Sequence, residues 1–517
     1  MRGSLPYSDF EPQEAGPQYL EDLATGYWFS EVLFAAVEMD LFSFLEGSGA
    51  TRRELASNFR MDAGGLERFS RALVAMGLVT HCGGRYFNTK VSDEHLVRNK
   101  PGYQGDSILW RRYLHPRWKM LTSSLRAGGR VNYDGLNSLP GRSRRIQEYT
   151  LAMDNIARFK AEEILKFFEK VSLRGNILDV GAGAGAMATA FLKRFPSTRA
   201  TLLELPDVLA YTKMLKRDPA MDGRMRYCPG NILQDWPLGK KTFDMVILSN
   251  ILHAYSRKEL PHILMSASRH LKKRGLLLIH DFFFEHSSQK AVLSDLNMFI
   301  NTFNGRVFSG KSVVKEMNRL GLSSIGPIAL ETDTAVIFGA KDKAPLARLH
   351  VDTRGLLVSK ILDKGFRNVC CLKTSGIKIA EWTSMRCRFG CDRYGTPHCP
   401  PNSPTAQQTR KVIKGYTHAV LLEGEPPARE FQRRVLEAEK EAFAAGFYKA
   451  FAYWAGPCSL CDSCRTDGTC RNTKDARPSM EGAGIDVFDT VRRSGIGLRT
   501  LNGRDNYVKY FGLLLLE

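Results

Sequence analysis

Between residues 174 and 340, short apolar runs alternate with longer amphipathic runs. The apolar runs read NILDV, ATLLEL, TFDMVILS and GLLLIHDFF, and helical patterns such as MATAFLKRF and PHILMSASRHLKK separate them. Strands that alternate with helices of this length form parallel sheets with helices on both faces. The pattern therefore predicts a doubly wound α/β domain, and it constrains the fold more than any other feature of the chain.

The segment LDVGAGAGA follows the first of these strands and opens a helix. Gly181, Gly183 and Gly185 let the backbone approach a ligand without a Cβ in the way. Glu204 ends the next strand, where an acidic residue binds the hydroxyls of a ribose. The loop alone also satisfies the dinucleotide fingerprint if Ala186 replaces the third glycine, so by itself it leaves two cofactor classes open.

Three further features favour S-adenosylmethionine over a dinucleotide. Asp179 precedes the first glycine by two residues and gives the pattern D-x-G-x-G-x-G. Asn231, in GNIL, stands where an adenine would be met. Polar residues and a histidine, among them Asn250 and His253, follow the fourth strand in FDMVILSNILHAY. We therefore expect S-adenosylmethionine as the cofactor.

With these motifs in place, residues 17–340 resemble bacterial members of the S-adenosylmethionine-dependent O-methyltransferases of the caffeate and acetylserotonin type. The resemblance implies a winged-helix dimerisation domain, a Rossmann-like class I methyltransferase domain, a homodimer and a small-molecule methyl acceptor. The N-terminal region has the elements for the first of these. TRRELASNFRMDAGGLERF has helical periodicity with a capping box from Thr51 to Glu54, and VTHCGGRYFNTK reads as a hairpin.

The resemblance also implies roles for individual residues. His253 matches the general base of the family, and an imidazole with a pKa near about 6.5 is suited to take a hydroxyl proton as the methyl transfers. Met153 is expected to pack on the acceptor, with Asn250 also on the substrate side. The cofactor is assigned to residues at the ends of successive strands: Asp179, Gly181, Gly183, Gly185, Glu204, Asn231, Ile232 and Ser249.

The expected partner of the histidine is the main departure from the family. A glutamate that orients it is expected after NTFNGR, but Val307 stands there, and Glu331 is a more distant substitute. His280 and Asp281, at the end of the fifth strand, are reserve candidates, with packing as their expected role. A histidine without a carboxylate partner is less basic. Methylation of a thiol, carbon or metal-bound acceptor therefore stays open beside that of an aromatic or tetrapyrrole-like hydroxyl compound.

Nine of the eleven cysteines lie between Cys370 and Cys470. The run C-x2-C-x2-C in CSLCDSCRTDGTC is the ferredoxin pattern, whereas zinc ribbons want two separate pairs. This region also resembles a cysteine-rich domain known only as predicted metal-binding. We therefore expect a metal site, and the pattern favours a [4Fe–4S] cluster over zinc. The candidate ligands fall in two segments: Cys387, Cys391 and Cys399, then Cys458, Cys461, Cys464 and Cys470.

Composition and linkers set the domain boundaries and the remaining expectations. We predict a flexible tail at 1–16, the winged-helix dimerisation domain at 17–104, the methyltransferase domain at 105–342 and an α+β cysteine-rich domain at 350–517. A content of 43% hydrophobic and 25% charged residues is typical of globular proteins. No run of eighteen apolar residues and no secretory signal occur, so we expect a cytoplasmic protein that is not in a membrane.

The formal net charge of +20 favours anionic partners. A redox-sensing regulator, in which the winged helix binds DNA and a cluster switches it, is the alternative from another class of protein. Against nucleic acid stands the complete cofactor loop with His253, for which a regulator has no need. An electron-transfer partner for the cluster is a further expectation.

Overall fold

The computed structural model describes residues 17–131, 139–215, 221, 223–285, 288–330, 332–351, 353–465, 469–498, 500 and 508–517. The predicted tail, 1–16, and the candidate Glu331 lie outside these ranges. The described residues divide into two compact units, one of residues 25–351 and one of residues 353–517 together with 17–24. Within the described ranges, no helix combines the length and the apolar character that crossing a bilayer requires.

The N-terminal region consists of short helices and a three-stranded antiparallel sheet of order β1-β3-β2. Its capping box is confirmed, since Glu54 N donates to Thr51 Oγ1 at 3.2 Å and Thr51 N donates to Glu54 Oε2 at 2.6 Å. The hairpin is confirmed as well, with Gly83 and Gly84 at φ of 57° and 75°, a turn that glycine permits. The elements are α1 (Pro17–Thr25), α2 (Tyr27–Glu38), α3 (Leu41–Phe44), β1 (Ala50–Thr51), α4 (Arg52–Phe59), α5 (Ala63–Ala75), β2 (Val79–Cys82), β3 (Arg85–Asn88) and α6 (Lys90–Leu96).

Three helices connect this region to the large sheet: α7 (Gly105–Trp118), α8 (Leu121–Ala127) and α9 (Leu139–Leu165). Helices α7 and α9 pack against each other through Trp110, Leu114 and Ala152, which are buried. Because α9 is 27 residues long, it continues well beyond this contact. The pair forms one side of the cavity described below.

The large sheet has seven strands in the order β6-β5-β4-β7-β8-β10-β9. The predicted parallel arrangement is confirmed for β4 to β8, and the last two strands run antiparallel to their neighbours. The strand order reverses between β4 and β7, which is where open α/β sheets bind ligands. The elements are β4 (Gly175–Val180), α10 (Ala186–Arg194), β5 (Thr198–Glu204), α11 (Pro206–Met214), β6 (Met225–Pro229), β7 (Phe243–Ser249), α12 (Leu260–Arg269), β8 (Leu271–Asp281), α13 (Ser288–Asn301), α14 (Gly310–Arg319), β9 (Ser323–Ala329) and β10 (Ala335–Ala340).

The second unit contains a four-stranded antiparallel sheet of order β11-β12-β14-β13. Its apolar strand β14 is central, and alternate residues supply two cores: Leu514 lies in one and Leu513 in the other. The candidate metal ligands precede and follow the strands rather than lying within them, so the sheet forms a scaffold beside the cysteine-bearing segments. The elements are α15 (Thr353–Leu362), β11 (Asn368–Lys373), α16 (Thr383–Gly390), α17 (Ala406–Ile413), β12 (His418–Gly424), α18 (Ala428–Ala444), β13 (Phe451–Tyr453), α19 (Val487–Arg493) and β14 (Tyr510–Leu516).

Candidate active site and cysteine cavities

The glycine loop lies between β4 and α10, at the carboxyl edge of the large sheet. Gly181 and Gly183 have φ of 63° and 51°, in the left-handed region where a side chain is strained. A Cβ on Gly181 would approach Ile251 Cδ1 to 2.1 Å, whereas one on Gly183 would meet nothing within 4 Å. Gly181 therefore permits close packing, and the backbone at Gly183 faces open space that a ligand can fill.

Two carboxylates support this loop. Glu204 accepts hydrogen bonds from Gly183 N at 2.9 Å and from Leu205 N at 2.7 Å. Asp179 is 2% exposed and accepts one from Ala188 N at 3.1 Å. Burial raises the pKa of Glu204, and it raises the pKa of Asp179 to about 7. A buried carboxyl near neutrality is stabilised in its ionised form by a positive ligand, so the loop fits a cationic cofactor such as S-adenosylmethionine.

The GNIL segment directly follows β6, next to Glu204. Strand register pairs Glu204 with Pro229, and Gly230 N donates to the Glu204 carbonyl at 2.9 Å. Asn231 Oδ1 accepts a hydrogen bond from Leu233 N at 3.0 Å. Ile232 is 5% exposed and belongs to the hydrophobic core. The segment thus lies beside Glu204, and the side chain of Ile232 packs in the core.

His253 lies in a short 3₁₀ turn after β7 and pairs with a buried carboxylate. Its Nδ1 lies 2.5 Å from Oδ1 of Asp281, and its backbone N donates to Oδ2 of Asp281 at 3.3 Å. Phe282 N also donates to this carboxylate at 2.8 Å. Although burial raises the pKa of Asp281, the contacts with His253 outweigh that effect and the pKa lies below its usual range. The ionised Asp281 therefore accepts from Nδ1–H and leaves Nε2 of His253 as the basic nitrogen.

Behind this pair runs a second hydrogen-bonded chain. His280 is fully buried, its Nδ1 lies 2.8 Å from Ser249 Oγ, and its Nε2 lies 2.9 Å from Thr334 Oγ1. Burial lowers the pKa of His280 to about 4, so its ring is neutral near pH 7. Asn250, between Ser249 and the His253 turn, has φ of 54° and a buried Oδ1 without a partner among the described residues. A left-handed asparagine with a free acceptor is suited to contact a ligand.

His253 opens on a cavity of about 1130 Å³, which we name the His253 cavity. Met153 and Asn250 also line it, whereas the glycine loop, Glu204, Asn231, Ile232 and Ser249 do not. The two sets of residues adjoin at Leu205, which follows Glu204 and lines the cavity. Helices α7, α9 and α13 supply most of the wall, and its aromatic members are Trp110, Trp118, Tyr149, Phe159, Phe282 and Phe303. The cavity has the size and aromatic lining of a small-molecule site.

In the second unit the predicted ligands line two cavities. The first cysteine cavity, about 140 Å³, is lined by Cys387, Cys391 and Cys399 together with Glu481. The second cysteine cavity, about 400 Å³, is lined by Cys458, Cys461, Cys464 and Cys470. Gly456 and Pro457 border both. All eleven cysteines of the chain are free thiols, so none is held in a disulfide.

Hydrogen-bond donors already reach two of these sulfurs. Asn472 Nδ2 donates to Cys461 Sγ at 2.9 Å, and Asn472 N donates to Cys470 Sγ at 3.3 Å. Burial raises the pKa of Cys387 to about 11 and raises that of Cys458. Across the described ranges, no three His, Cys, Asp or Glu side chains converge closely enough to hold a metal. The donor set fits a soft metal in its chemistry, because it offers four thiols on one cavity with N–H donors beside them.

Family models match three parts of the chain. Residues 21–98 match the O-methyltransferase dimerisation domain, and residues 133–321 match the O-methyltransferase domain. Residues 370–516 match a domain described as a predicted metal-binding protein (DUF2284). This chain contains the dimerisation and catalytic domains of the O-methyltransferase family. It is an S-adenosylmethionine-dependent methyltransferase with a fused predicted metal-binding domain.

Relatives of the methyltransferase cover about two thirds of its chain. It is 28% identical over 338 residues to a 3-hydroxy-5-methyl-1-naphthoate 3-O-methyltransferase from Streptomyces sahachiroi, an alignment that covers 64% of this chain and 97% of the relative. It is 25% identical to the tetracenomycin polyketide synthesis 8-O-methyl transferase TcmO from Streptomyces glaucescens, covering 63% and 98%. The crystal structure of human N-acetylserotonin methyltransferase with SAM superposes with a TM-score of 0.56 at 22% identity, covering 64% and 99%, and shows the same fold.

In the methyltransferase, the partner of His253 lies at a different position from the one predicted. Position 307 does not supply it, since Val307 is 1% exposed and packed in the core. Instead Asp281, which we expected to serve in packing, reaches His253 from the end of β8. Strands β7 and β8 are parallel neighbours, and Ser249 pairs with His280 in their register. Polar residues just beyond two such strands meet at one edge of a sheet, and this was the signal available in SNILH and LLIHD.

Proposed function

We propose that the methyltransferase methylates a hydroxyl group of an aromatic small molecule, with His253 as the general base. The observation that carries this proposal is the pairing of His253 Nδ1 with Asp281 at the edge of an aromatic-lined cavity. The relatives that act on a hydroxynaphthoate and on a tetracenomycin polyketide support an aromatic acceptor. A base held by a carboxylate favours a hydroxyl acceptor over acceptors that need no base.

His253 Nε2 takes the proton of the acceptor hydroxyl, and Asp281 stabilises the imidazolium that forms. Asp281 also fixes the ring orientation and keeps the basic nitrogen toward the cavity. When bound, S-adenosylmethionine supplies an electrophilic methyl group, whose bond to sulfur breaks as the bond to the acceptor oxygen forms, leaving S-adenosylhomocysteine. Met153 and Asn250 position the acceptor from the cavity wall, and His253 afterwards returns its proton to solvent.

The cofactor set is part of the same proposal. The glycine loop with Asp179 holds the methionine part. Glu204 binds the ribose hydroxyls and gives up one of its two hydrogen bonds from backbone N–H groups. Asn231 meets the adenine, with the backbone of Ile232 beside it. Ser249, anchored on His280, borders the cofactor near its carboxylate. Gly181, Gly183 and Gly185 are the positions at which a side chain is least compatible with this arrangement.

Methyl transfer to a panel of hydroxylated aromatic compounds, measured by mass spectrometry of the product, tests the proposal. In His253→Asn we expect kcat to fall about 10²- to 10⁴-fold, the usual contribution of a general base. Affinity for S-adenosylhomocysteine in calorimetry should be unchanged. His81→Asn is the matched control, because His81 is an exposed residue of β2 outside the cavity. Full activity in His253→Asn would exclude it as the base.

We also propose that the C-terminal domain binds a [4Fe–4S] cluster through the thiols of the second cysteine cavity. Four thiols on one cavity, with Asn472 donating to two of the sulfurs, support a metal site. The C-x2-C-x2-C spacing of Cys458, Cys461 and Cys464 favours a cluster over zinc. Cys387, Cys391 and Cys399 form a second set of thiols. This set is available to bind a further metal or to supply a replacement ligand to the cluster. An electron-transfer partner stays a prediction.

Anaerobic purification followed by iron, sulfide and zinc analysis tests the cluster. We expect a brown protein with about four iron and four sulfide per chain for one cluster. Cys461→Ser should lower both contents together, whereas Cys82→Ser, at an exposed cysteine outside both cavities, should not. A colourless protein with stoichiometric zinc would show that the site binds zinc and not a cluster.

The dimerisation domain supports a homodimer. We infer that the start of α2 lies in its interface, because Tyr27, Trp28 and Phe29 are 54%, 58% and 42% exposed. Consecutive exposed aromatic residues mark an interaction surface. Light scattering of Trp28→Glu should detect a shift toward monomer. A dimer of unchanged stability would show that the start of α2 is not part of the interface.

A further inference from the structure

The charges that line the His253 cavity do not balance. Its described wall carries five cationic side chains and two carboxylates. The cations are Arg111, Arg117, Arg145, Lys160 and Lys290, and the carboxylates are Asp207 and Asp333. A cavity with such an excess of one sign attracts a ligand of the opposite sign.

Two of the cations are already satisfied by the protein. Lys160 Nζ lies 3.0 Å from Asp333 Oδ1 and is almost fully buried. Arg117 is 5% exposed, donates to Asn301 Oδ1 at 3.1 Å and packs over the ring of Tyr113. These contacts hold α9 and α7 to neighbouring elements, so Lys160 and Arg117 have structural roles.

Arg111 and Arg145 are different. Neither makes an ion pair or hydrogen bond with the residues that the structure describes, and both line the cavity. The Arg111 side chain is exposed and lines the cavity. A bound anion would accept paired, charge-assisted hydrogen bonds from its planar guanidinium.

Tyr149 completes the arrangement. It lies on α9 four residues after Arg145, one helical turn along the same face, and Arg111 faces it from α7. Glu204 acts on its hydroxyl electrostatically with one sign, and both guanidinium groups act on it with the opposite sign. Its ring packs edge-on against Trp110 at 5.3 Å. Two cations and a phenol hydroxyl thus line a wall that also carries aromatic rings.

We propose that Arg111 and Arg145, with Tyr149, bind a carboxylate carried by the aromatic acceptor. This deepens the proposed function and rests on it for the reaction, but the anion site itself is testable by binding alone. Arg111 is the main ligand because it lies beside Tyr149 on the cavity wall, and its planar guanidinium matches a carboxylate in a two-pronged contact. Lys290 lines the same cavity and adds long-range attraction for an anion.

Calorimetry of the full chain with saturating S-adenosylhomocysteine, titrated with 2-naphthoate or the isosteric 2-naphthamide, tests the site. We expect the acid to bind about tenfold or more tightly than the amide, the typical gain of a charge-assisted hydrogen bond. Arg111→Met should bring the two affinities together, and Arg111→Lys should keep part of the preference. Arg112→Met is the control, since Arg112 is the next residue of α7 and pairs with Glu38.

The outcomes separate the two proposals. A preference for the acid that disappears in Arg111→Met establishes the anion site, whether or not a hydroxynaphthoate is methylated. Equal affinities, or no binding of the acid, overturn it even if neutral naphthols are methylated. If Arg111→Met lowers the affinity for S-adenosylhomocysteine and leaves the affinity for naphthoate unchanged, then Arg111 holds the cofactor and the inference is wrong.

Discussion

The His253 cavity and the two cysteine cavities differ in how far the protein itself prepares the reactive group. In the first, the Asp281 carboxylate and the ring of Phe282 fix His253 in place, and the backbone N–H of Phe282 holds that carboxylate. In the others, the sulfurs face their cavities but no three described ligands converge on one point. Base catalysis needs geometry before the substrate arrives, whereas a metal site gains its final geometry from the metal itself. Folding therefore prepares the first region, whereas we predict that the second takes its final geometry only when it binds a metal.

Of the variants that test this difference between the cavities, we expect the largest effect at Asp281, the carboxylate that pairs with His253. In Asp281→Asn, kcat should fall about 10²- to 10³-fold, because an amide neither stabilises an imidazolium nor enforces the correct tautomer. Rates on any hydroxylated aromatic acceptor that turns over provide the measurement. Asp295→Asn is the nearby control, since Asp295 accepts a hydrogen bond from Val307 N and does not line the cavity. A loss of less than fivefold would show that the pair is not what prepares His253.

The glycine loop offers the next effect. Gly183→Val places a β-branched side chain at φ of 51° and into the open space beside the loop. We expect affinity for S-adenosylhomocysteine to fall at least about 10²-fold from strain and lost space together. Iron content should stay that of the natural chain. If the variant lost iron as well as affinity for S-adenosylhomocysteine, the cysteine cavities would depend on the glycine loop, contrary to this prediction.

Asp179 gives a pH-dependent effect on stability. Its pKa in the folded protein, about 7, lies above its ordinary value of 3.8. The folded state therefore binds the proton more tightly, and stability from this group is complete at low pH and is lost as pH rises toward 7. Asp179→Asn removes that loss. Relative to the natural chain, its free energy of unfolding should rise by about 2 kcal/mol between pH 5 and pH 8, and parallel pH curves in denaturant titrations would refute this.

The smallest effect is expected in the second cysteine cavity. Asn472→Ala removes the side-chain donor to Cys461 Sγ but keeps the backbone donor to Cys470. Loss of such an outer contact costs metal affinity about tenfold in typical sites. Chelator competition of the reconstituted protein gives the measurement. Asn368→Ala is the control, because Asn368 is an exposed residue of β11 in the same unit that lines neither cysteine cavity. Equal resistance of both variants would mean that Asn472 does not tune the ligands.

Local spacing explains what could be predicted from the sequence. The strand–helix alternation, the glycine loop and the Gly83–Gly84 hairpin each depend on residues that are neighbours in the chain, and all three have the predicted form. His253 and Asp281 are 28 residues apart in the chain, and their pairing depends on the register of the parallel strands β7 and β8. A position predicted from a family motif, such as 307, carries no information about that register.

The cavity charges were beyond prediction for a related reason. Arg111 and Arg145 lie on separate helices, and no sequence motif shows that these helices face the same space. The cysteine spacing did indicate soft ligands, but not which sulfurs share a cavity. Cys399 precedes Cys458 by a long stretch that includes two strands and two helices, so only the fold brings their segments to cavities with a common border at Gly456.

Helix α9 has a consequence for the evolution of acceptor choice. One face of this helix lines the His253 cavity over successive turns, at Arg145, Tyr149, Met153, Ile156 and Lys160. At 1.5 Å per residue these positions span about 22 Å, which exceeds the length of a two-ring molecule. A larger side chain at any one turn would shorten the usable space by a fixed step without touching His253 or the glycine loop. Single substitutions along one helix can therefore change which molecules are accepted while the chemistry stays the same.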